Sequence, residues 1–202
     1  MLIQINPQNP QPRLIAKVAD CLKQGGTIVY PTDTFYGLGC DIMNKKAIEK
    51  IYRLKRRNPK KPFSFICSDL KNISQYAKVS NYAYKTMRRL LPGPYTFVLE
   101  GSKLVPKIML TQRKTAGIRV PDHRLCLSLV RALGNPVIST TVPYRKIEEL
   151  SHPSLIHETL GSQIDMVIDG GPVPGAPSSV VSLIHDEPVV IREGLGDVTC
   201  FE

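Results

Sequence analysis

The sequence lacks several features whose absence narrows its class. No apolar run reaches the ~18 residues that a membrane-spanning helix requires, and the opening MLIQINPQNP has neither the basic stretch nor the apolar stretch of an export signal. A cytoplasmic protein with no membrane association is the expectation. The 5 cysteines (Cys21, Cys40, Cys67, Cys126 and Cys200) are odd in number, far apart and never in a C-x-x-C pair. They speak against a disulfide framework or a zinc site and suit reduced thiols. No G-x-x-x-x-G-K-[ST] loop occurs, and Gly37-Leu38-Gly39 lacks the third glycine of a dinucleotide fingerprint. His123, His152, His157 and His185 show no ligand spacing, so no metal site of the protein's own is expected. Without a G-x-S-x-G elbow, no serine is marked as a nucleophile. Acid is scarce too: 27 Lys and Arg stand against 17 Asp and Glu, a net charge of +10. Positions 53–61 hold Arg53, Lys55, Arg56, Arg57, Lys60 and Lys61 with no carboxylate among them. Such a cluster attracts nucleotides, RNA and other polyanions.

What is present is an ordinary globular composition, 42% hydrophobic and 22% charged, in 202 residues. That length suits one domain over residues 1–202. Short apolar runs alternate with helical patterns, the mark of an α/β protein. A helix is expected from Gln11 to Gln24, with Asn9 placed to cap it and Leu14, Ile15, Val18, Cys21 and Leu22 in one stripe. A second follows Asn44, with Ala47, Ile48, Ile51 and Leu54 inward and the basic cluster at its carboxyl end, where cations suit the helix dipole. Helices are also expected at 81–91, 123–133 and 153–160. Strands are expected at 27–30, 63–67, 95–99, 115–120, 137–141, 166–169, 178–183 and 189–192. Their uneven spacing predicts an open, twisted mixed sheet rather than a regular doubly wound one.

The remaining candidates for chemistry are polar residues at strand ends and in Gly/Pro-bounded loops. Pro31-Thr32-Asp33-Thr34-Phe35-Tyr36-Gly37-Leu38-Gly39 leaves a strand with two hydroxyls, and its glycines permit close backbone approach. Lys55 and Arg57, two apart at a helix exit, join a point charge to a planar fork and suit a polyphosphate. Further along come Pro92-Gly93-Pro94-Tyr95-Thr96, Gly117-Ile118-Arg119-Val120-Pro121, Asp169-Gly170-Gly171, Pro177-Ser178-Ser179-Val180 and Ile191-Arg192-Glu193-Gly194. In this order the segments resemble the YrdC-like family of threonylcarbamoyl-AMP synthases, over nearly the whole chain from Leu14 to Gly196.

The resemblance implies an open α/β sheet with a broad positive cavity, and a reaction in which L-threonine, bicarbonate and ATP give threonylcarbamoyl-AMP and pyrophosphate for tRNA modification. It assigns Lys55 and Arg57 to catalysis. It places Lys55, Arg57, Lys61, Ser139, Thr141, Ser178 and Arg192 on the nucleotide. Thr32, Thr34, Tyr36 and Arg119 fall to the threonine side, with Arg119 also supporting the cavity floor. Mg²⁺ is expected to arrive with ATP and to keep several waters. One segment departs from the pattern: where the family has S-x-N, this chain has Thr141-Val142-Pro143, and proline offers neither an amide side chain nor an N–H. Members that keep the basic pair without that asparagine resemble the YciO branch. No additional carboxyl-terminal domain of the kind found in longer relatives is expected. A reading from a different class is a non-catalytic module that binds tRNA or double-stranded RNA, with Tyr52, Phe63 or Phe65 beside the basic surface.

Overall fold

Local signals in the sequence account for most of the element boundaries. The computed structural model describes residues 1–58, 61–143 and 151–201. Strand β1 (Leu2–Gln4) precedes helix α1 (Pro12–Lys23), which starts at its proline. Gln11, not Asn9, stands at the cap position and makes no side-chain cap bond. Asn9 is instead tied by its N–H to Asn6 Oδ1, in a turn ahead of the helix. Strands β2 (Ile28–Tyr30) and β3 (Gly37–Gly39) lead to α2 (Lys45–Lys55), which Asn44 caps by accepting from the Ala47 N–H at 3.0 Å. There follow β4 (Ser64–Ile66), α3 (Leu70–Tyr76), β5 (Ala77–Lys78), α4 (Asn81–Leu90), β6 (Tyr95–Gly101) and β7 (Thr115–Arg119). Helix α5 (Arg124–Leu133) ends at left-handed Gly134. The described chain closes with β8 (Val137–Thr141), α6 (Pro153–Leu160), β9 (Met166–Asp169), β10 (Ser179–Ser182) and β11 (Val189–Arg192).

The strands form one open mixed sheet in the order β1-β9-β2-β3-β8-β4-β7-β6-β10-β11, with β5 paired to β6 beside that path. Parallel pairs (β1–β9, β2–β9, β4–β7, β6–β10) are interspersed with antiparallel ones, as the uneven spacing predicts. Four short elements escape the sequence reading: β1, β3, α3 and β5. The least expected is β3, because Gly37-Leu38-Gly39 reads as a loop. A Cβ on Gly39 would lie 2.2 Å from the Ile138 carbonyl oxygen and 2.8 Å from the Tyr30 ring. Only glycine lets this strand fit between β2 and β8 under that ring.

The two faces of the sheet are covered unequally. One face carries Val29, Leu38, Phe65, Phe97, Ile118, Ile138 and Val181, all buried against apolar residues of α2, α3, α4 and α6. The other is covered at one end only, where Ile28, Tyr30, Ile66, Val137 and Ile168 pack under Ile15, Val18 and Leu22 of α1 and Leu125, Leu129 and Leu133 of α5. Among the described residues no helix is long and apolar enough to cross a membrane.

Candidate active site

Where the cover of α1 and α5 stops, the residues on that face change character within single strands. In β4 the apolar Ile66 gives way two positions earlier to Ser64, and in β8 Val137 gives way two positions later to Ser139. Because side chains alternate with period two, these pairs share a face, and the serines continue it into the uncovered region. Thr96 and Val98 of β6, Thr115 and Gly117 of β7 and Val180 of β10 extend the same surface. Together they floor a cavity of about 370 Å³. A Cβ on Gly117 would sit 2.7 Å from Ser64 Oγ, so glycine keeps the floor low. Alternation also identifies Ser64, which the sequence reading left out: it stands between Phe63 and Phe65, both buried.

The turn between β2 and β3 supplies one wall, built by a chain of directed hydrogen bonds. Thr32 Oγ1 donates to the Phe35 carbonyl at 2.6 Å and accepts from the Thr34 N–H at 3.1 Å. Its one proton is thereby used, so the 2.9 Å contact between the two threonine hydroxyls has Thr34 Oγ1 as donor. Thr34 Oγ1 in turn accepts from Arg119 Nη2 at 3.0 Å. Thr32 therefore lines the cavity with a hydroxyl already filled by one donated and two accepted bonds. Thr34 keeps a single open lone pair. Arg119 Nη2 also meets Asp33 Oδ1 at 2.8 Å, with side-chain exposures of 9% and 10%. Asp33 Oδ2 accepts from the Asp122 N–H, and Arg119 Nε is buried with no hydrogen-bond partner among the described residues. The Tyr36 hydroxyl donates to the Gly171 carbonyl and accepts from the Gly170 N–H, which fastens the turn to the loop after β9. Burial raises its pKa, so it remains a neutral phenol.

On the opposite wall Arg192 grips Ser178. Its Nε and Nη2 donate to the Ser178 carbonyl at 3.1 and 2.8 Å, and Nη2 reaches Ser178 Oγ at 3.2 Å. The following Gly194 is required by contact, since a Cβ there would lie 2.4 Å from the Pro177 carbonyl oxygen. Desolvation, with the nearby Arg119 charge, lowers the Arg192 pKa. Two guanidiniums in this proximity mark a place that favours an anion.

The exit of α2 separates the two cations that the sequence pairs. Arg56 is left-handed (φ 45°), and the Arg57 N–H bonds back to the Tyr52 carbonyl while the Arg56 N–H bonds to Arg53. This is the Schellman arrangement, and it reverses the chain immediately after Lys55. Arg57 is swung into the cavity wall, where Nε donates to the Lys61 carbonyl at 2.8 Å and the guanidinium lies 5.0 Å from the centre of the Phe63 ring. Lys55 is not part of the lining. Its Nζ is 3.4 Å from both Thr141 Oγ1 and the Val142 carbonyl oxygen, behind the wall that Thr141 forms. Desolvation, then the Arg57 charge, lowers its pKa. Lys61 is exposed and meets the site only through its backbone carbonyl, and Lys60 lies outside the described residues. Arg57, Arg119, Arg192, Ser139, Thr141, Ser178, Thr32, Thr34 and Tyr36 thus share one cavity, whereas Lys55 and Lys61 stand at its edge. Pro143 faces a separate depression beside Leu54 and Leu160.

Three arginines and a ring of hydroxyls, with no carboxylate among the described residues of the lining, define a site for a polyanionic small molecule on an open α/β sheet. The Sua5_yciO_yrdC family model, described as "Telomere recombination", matches residues 20–194, and the chain belongs to this family. It is 43% identical to the uncharacterized protein YciO of Escherichia coli over 98% of this chain and 97% of that one. The crystal structure of E. coli YciO superposes with a TM-score of 0.92, 40% identity and coverage of 100% and 99%. A putative threonylcarbamoyl-AMP synthase of Methanocaldococcus jannaschii is 32% identical over 96% of this chain and 93% of its own. The crystal structure of P. abyssi Sua5 complexed with L-threonine gives a TM-score of 0.86 at 25% identity, over 96% of this chain and 57% of that one.

Proposed function

We propose that the chain condenses L-threonine, bicarbonate and ATP to threonylcarbamoyl-AMP and pyrophosphate. The observation that carries this reading is the convergence of Arg57, Arg119 and Arg192, from three distant segments, on one cavity that has no carboxylate among the described residues of its lining. Relatives named threonylcarbamoyl-AMP synthase and a related structure bound to L-threonine give that chemistry its substrates.

The threonine amine takes up bicarbonate as a carbamate, water leaving. A carbamate oxygen then attacks the α-phosphorus while the bond to the β-phosphate bridge breaks. The chain's part is to hold partners in line and to neutralise phosphate charge. Arg57 and Arg192 serve the phosphates, Ser139, Thr141 and Ser178 donate to the nucleotide, and Lys55 adds positive potential through the Thr141 wall. Thr34 and Arg119 face the amino acid. Among the described residues no group of three or more His, Cys, Asp or Glu is placed to hold a metal. Among the described residues the lining offers Mg²⁺ hydroxyls and carbonyls, which fits a metal held by the triphosphate and water, where it would neutralise charge.

The test is to incubate the protein with ATP, Mg²⁺, bicarbonate and L-threonine. Pyrophosphate release that requires both threonine and bicarbonate is expected. Release that ignores threonine, or none, overturns the reading. Tyr52, Phe63 and Phe65, the aromatics that an RNA module would need for stacking, are all buried. Salt-sensitive RNA binding by an inactive protein would nevertheless favour that alternative.

A further inference from the structure

The cavity floor carries two residues that a central strand disfavours, and they lie side by side. Ser64 of β4 and Gly117 of β7 each stand one residue ahead of the Phe65–Ile118 pair, on strands in the interior of the sheet. Glycine inside a strand packs nothing itself and marks a place where something else comes close to the backbone. A Cβ on Gly117 would lie 2.7 Å from Ser64 Oγ and 3.2 Å from Thr96 Cγ2, so the serine hydroxyl leans over the glycine. Other floor hydroxyls are engaged: Thr96 Oγ1 lies 2.9 Å from Ser178 Oγ, Thr111 Oγ1 2.7 Å from Thr115 Oγ1 and Thr141 Oγ1 3.4 Å from Lys55 Nζ. Ser64 lines the cavity, yet its hydroxyl has no hydrogen-bond partner among the described residues. Its register sets it between the two sides of the site. Across the sheet it pairs with Ser139, on the nucleotide side, and its neighbour on the same face, Ile66, pairs with Arg119, on the amino-acid side.

We propose that Ser64 is a further substrate-binding residue, whose hydroxyl donates to the one-carbon oxyanion of the reaction, first bicarbonate and then the carbamate made from it. This rests on the reaction proposed above. In that reaction the amine nitrogen bonds to the bicarbonate carbon while hydroxide leaves with the amine's proton as water, and a carbamate oxygen then meets the α-phosphorus. The one-carbon group therefore belongs between amino acid and nucleotide, where Ser64 stands. The arginines hold the walls, and the clearance over Gly117 admits a group of few atoms rather than a base or a ribose. A hydroxyl also suits the role chemically. It holds an oxyanion by a single neutral donor, a weaker grip than a guanidinium fork, and so leaves the oxygen more free to attack.

The experiment compares wild type with Ser64→Ala and Ser64→Thr, measuring KM separately for bicarbonate, L-threonine and ATP by pyrophosphate release. Ser64→Ala should raise the KM for bicarbonate about 10- to 100-fold, the range for a hydrogen bond to a charged group, and leave the other two within about twofold. Ser64→Thr, which keeps the hydroxyl, should recover most of the loss. A second measurement needs no turnover: the NMR line of carbon-13 bicarbonate, with a non-hydrolysable ATP analogue present and threonine absent, should be broadened by wild type and stay sharp with Ser64→Ala. An unchanged KM for bicarbonate in Ser64→Ala, with equal broadening by both proteins, would overturn the proposal. A rise in the KM for ATP alone would give Ser64 to a phosphate oxygen and overturn it as well. Equal rises for all three substrates, with a lowered melting temperature, would reduce Ser64 to a floor residue. If wild type releases no threonine-dependent pyrophosphate, the reaction reading falls by itself. Broadening that depends on Ser64 would then still support the oxyanion subsite, and its absence would end that too.

Discussion

The same face of the same sheet is a sealed core at one end and an open cavity at the other, and the boundary falls inside individual strands. Under α1 and α5 it presents Ile66, Val137 and Ile168; two residues along β4 and β8 it presents Ser64 and Ser139. Backbone geometry does not change across that line. What changes is whether a helix lies above, and the sequence follows with hydroxyls and glycine wherever water or a ligand must be met. Stability should therefore reside in one half and binding in the other, and substitutions can separate them.

The largest effect is expected in the sealed half. Leu129 of α5 is 1% exposed within that core. Leu129→Ala should cost about 2–5 kcal/mol of unfolding free energy, read from denaturant titration. At temperatures where the variant is folded, threonine-dependent pyrophosphate release per folded molecule should match wild type. Arg57→Ala should do the opposite. Losing one aimed cation costs about 3 kcal/mol in the transition state, or roughly 10²–10³ in rate, while the lost bond to the Lys61 carbonyl and contact with Phe63 should cost stability only about 1 kcal/mol. If Arg57→Ala destabilised the protein as much as Leu129→Ala, the division between the halves would fail. Gly117→Val tests the boundary itself by giving the open floor a core residue. With the new Cβ 2.7 Å from Ser64 Oγ, overpacking should cost about 1–3 kcal/mol, and the filled floor should weaken ATP-analogue binding.

A smaller effect distinguishes the halves by pH. His123 sits where α5 meets the site: its Nδ1 accepts from the Cys126 N–H at 3.4 Å, which only the unprotonated ring nitrogen can do. Burial lowers its pKa from 6.5, partly opposed by Asp33 and Asp122. The unfolded chain thus takes up this proton before the folded one. The contribution of His123 is complete above 6.5, falls as pH drops below that value and levels off once the folded ring also protonates. His123→Asn, a good cap that does not titrate, should flatten this part of the stability profile between about pH 8 and pH 5, with a cap worth about 1 kcal/mol. An unaltered slope in the variant would assign the dependence to other groups.

The sequence made β8, β9, β11 and α6 legible to the residue, because apolar runs, Gly134 and prolines mark their ends. It showed β3 as a loop, since the reason for two glycines in a strand is the Tyr30 ring and the Ile138 carbonyl, which sequence distance conceals. At the site, the arginines and hydroxyls were visible as types in Gly/Pro-bounded loops. Their division of labour was not. That Thr32 is saturated and Thr34 is not depends on which proton points where, and that depends on the Phe35 carbonyl and on Arg119, which lies 85 residues from Thr34 in the chain. The different placement of Lys55 and Arg57 was hidden for a similar reason, because the backbone reverses between them and Arg57 lines the cavity while Lys55 stands behind Thr141.

That reversal offers the finest test. Arg56 holds a left-handed conformation (φ 45°, ψ 37°) that costs a residue with a Cβ about 1–2 kcal/mol and costs glycine almost nothing. Glycine gives part of that back through the greater freedom of the unfolded chain, so Arg56→Gly should stabilise the protein by only about 0.5 kcal/mol. The turn, and with it the aim of Arg57, should be kept, because the bonds from Arg56 and Arg57 to Arg53 and Tyr52 are made by the backbone. Arg56 is exposed and outside the lining, so threonine-dependent turnover should be unchanged. A drop as deep as that of Arg57→Ala would show that Arg56 itself meets the anion, and that the polyanion site extends past the cavity rim onto the outer face of α2.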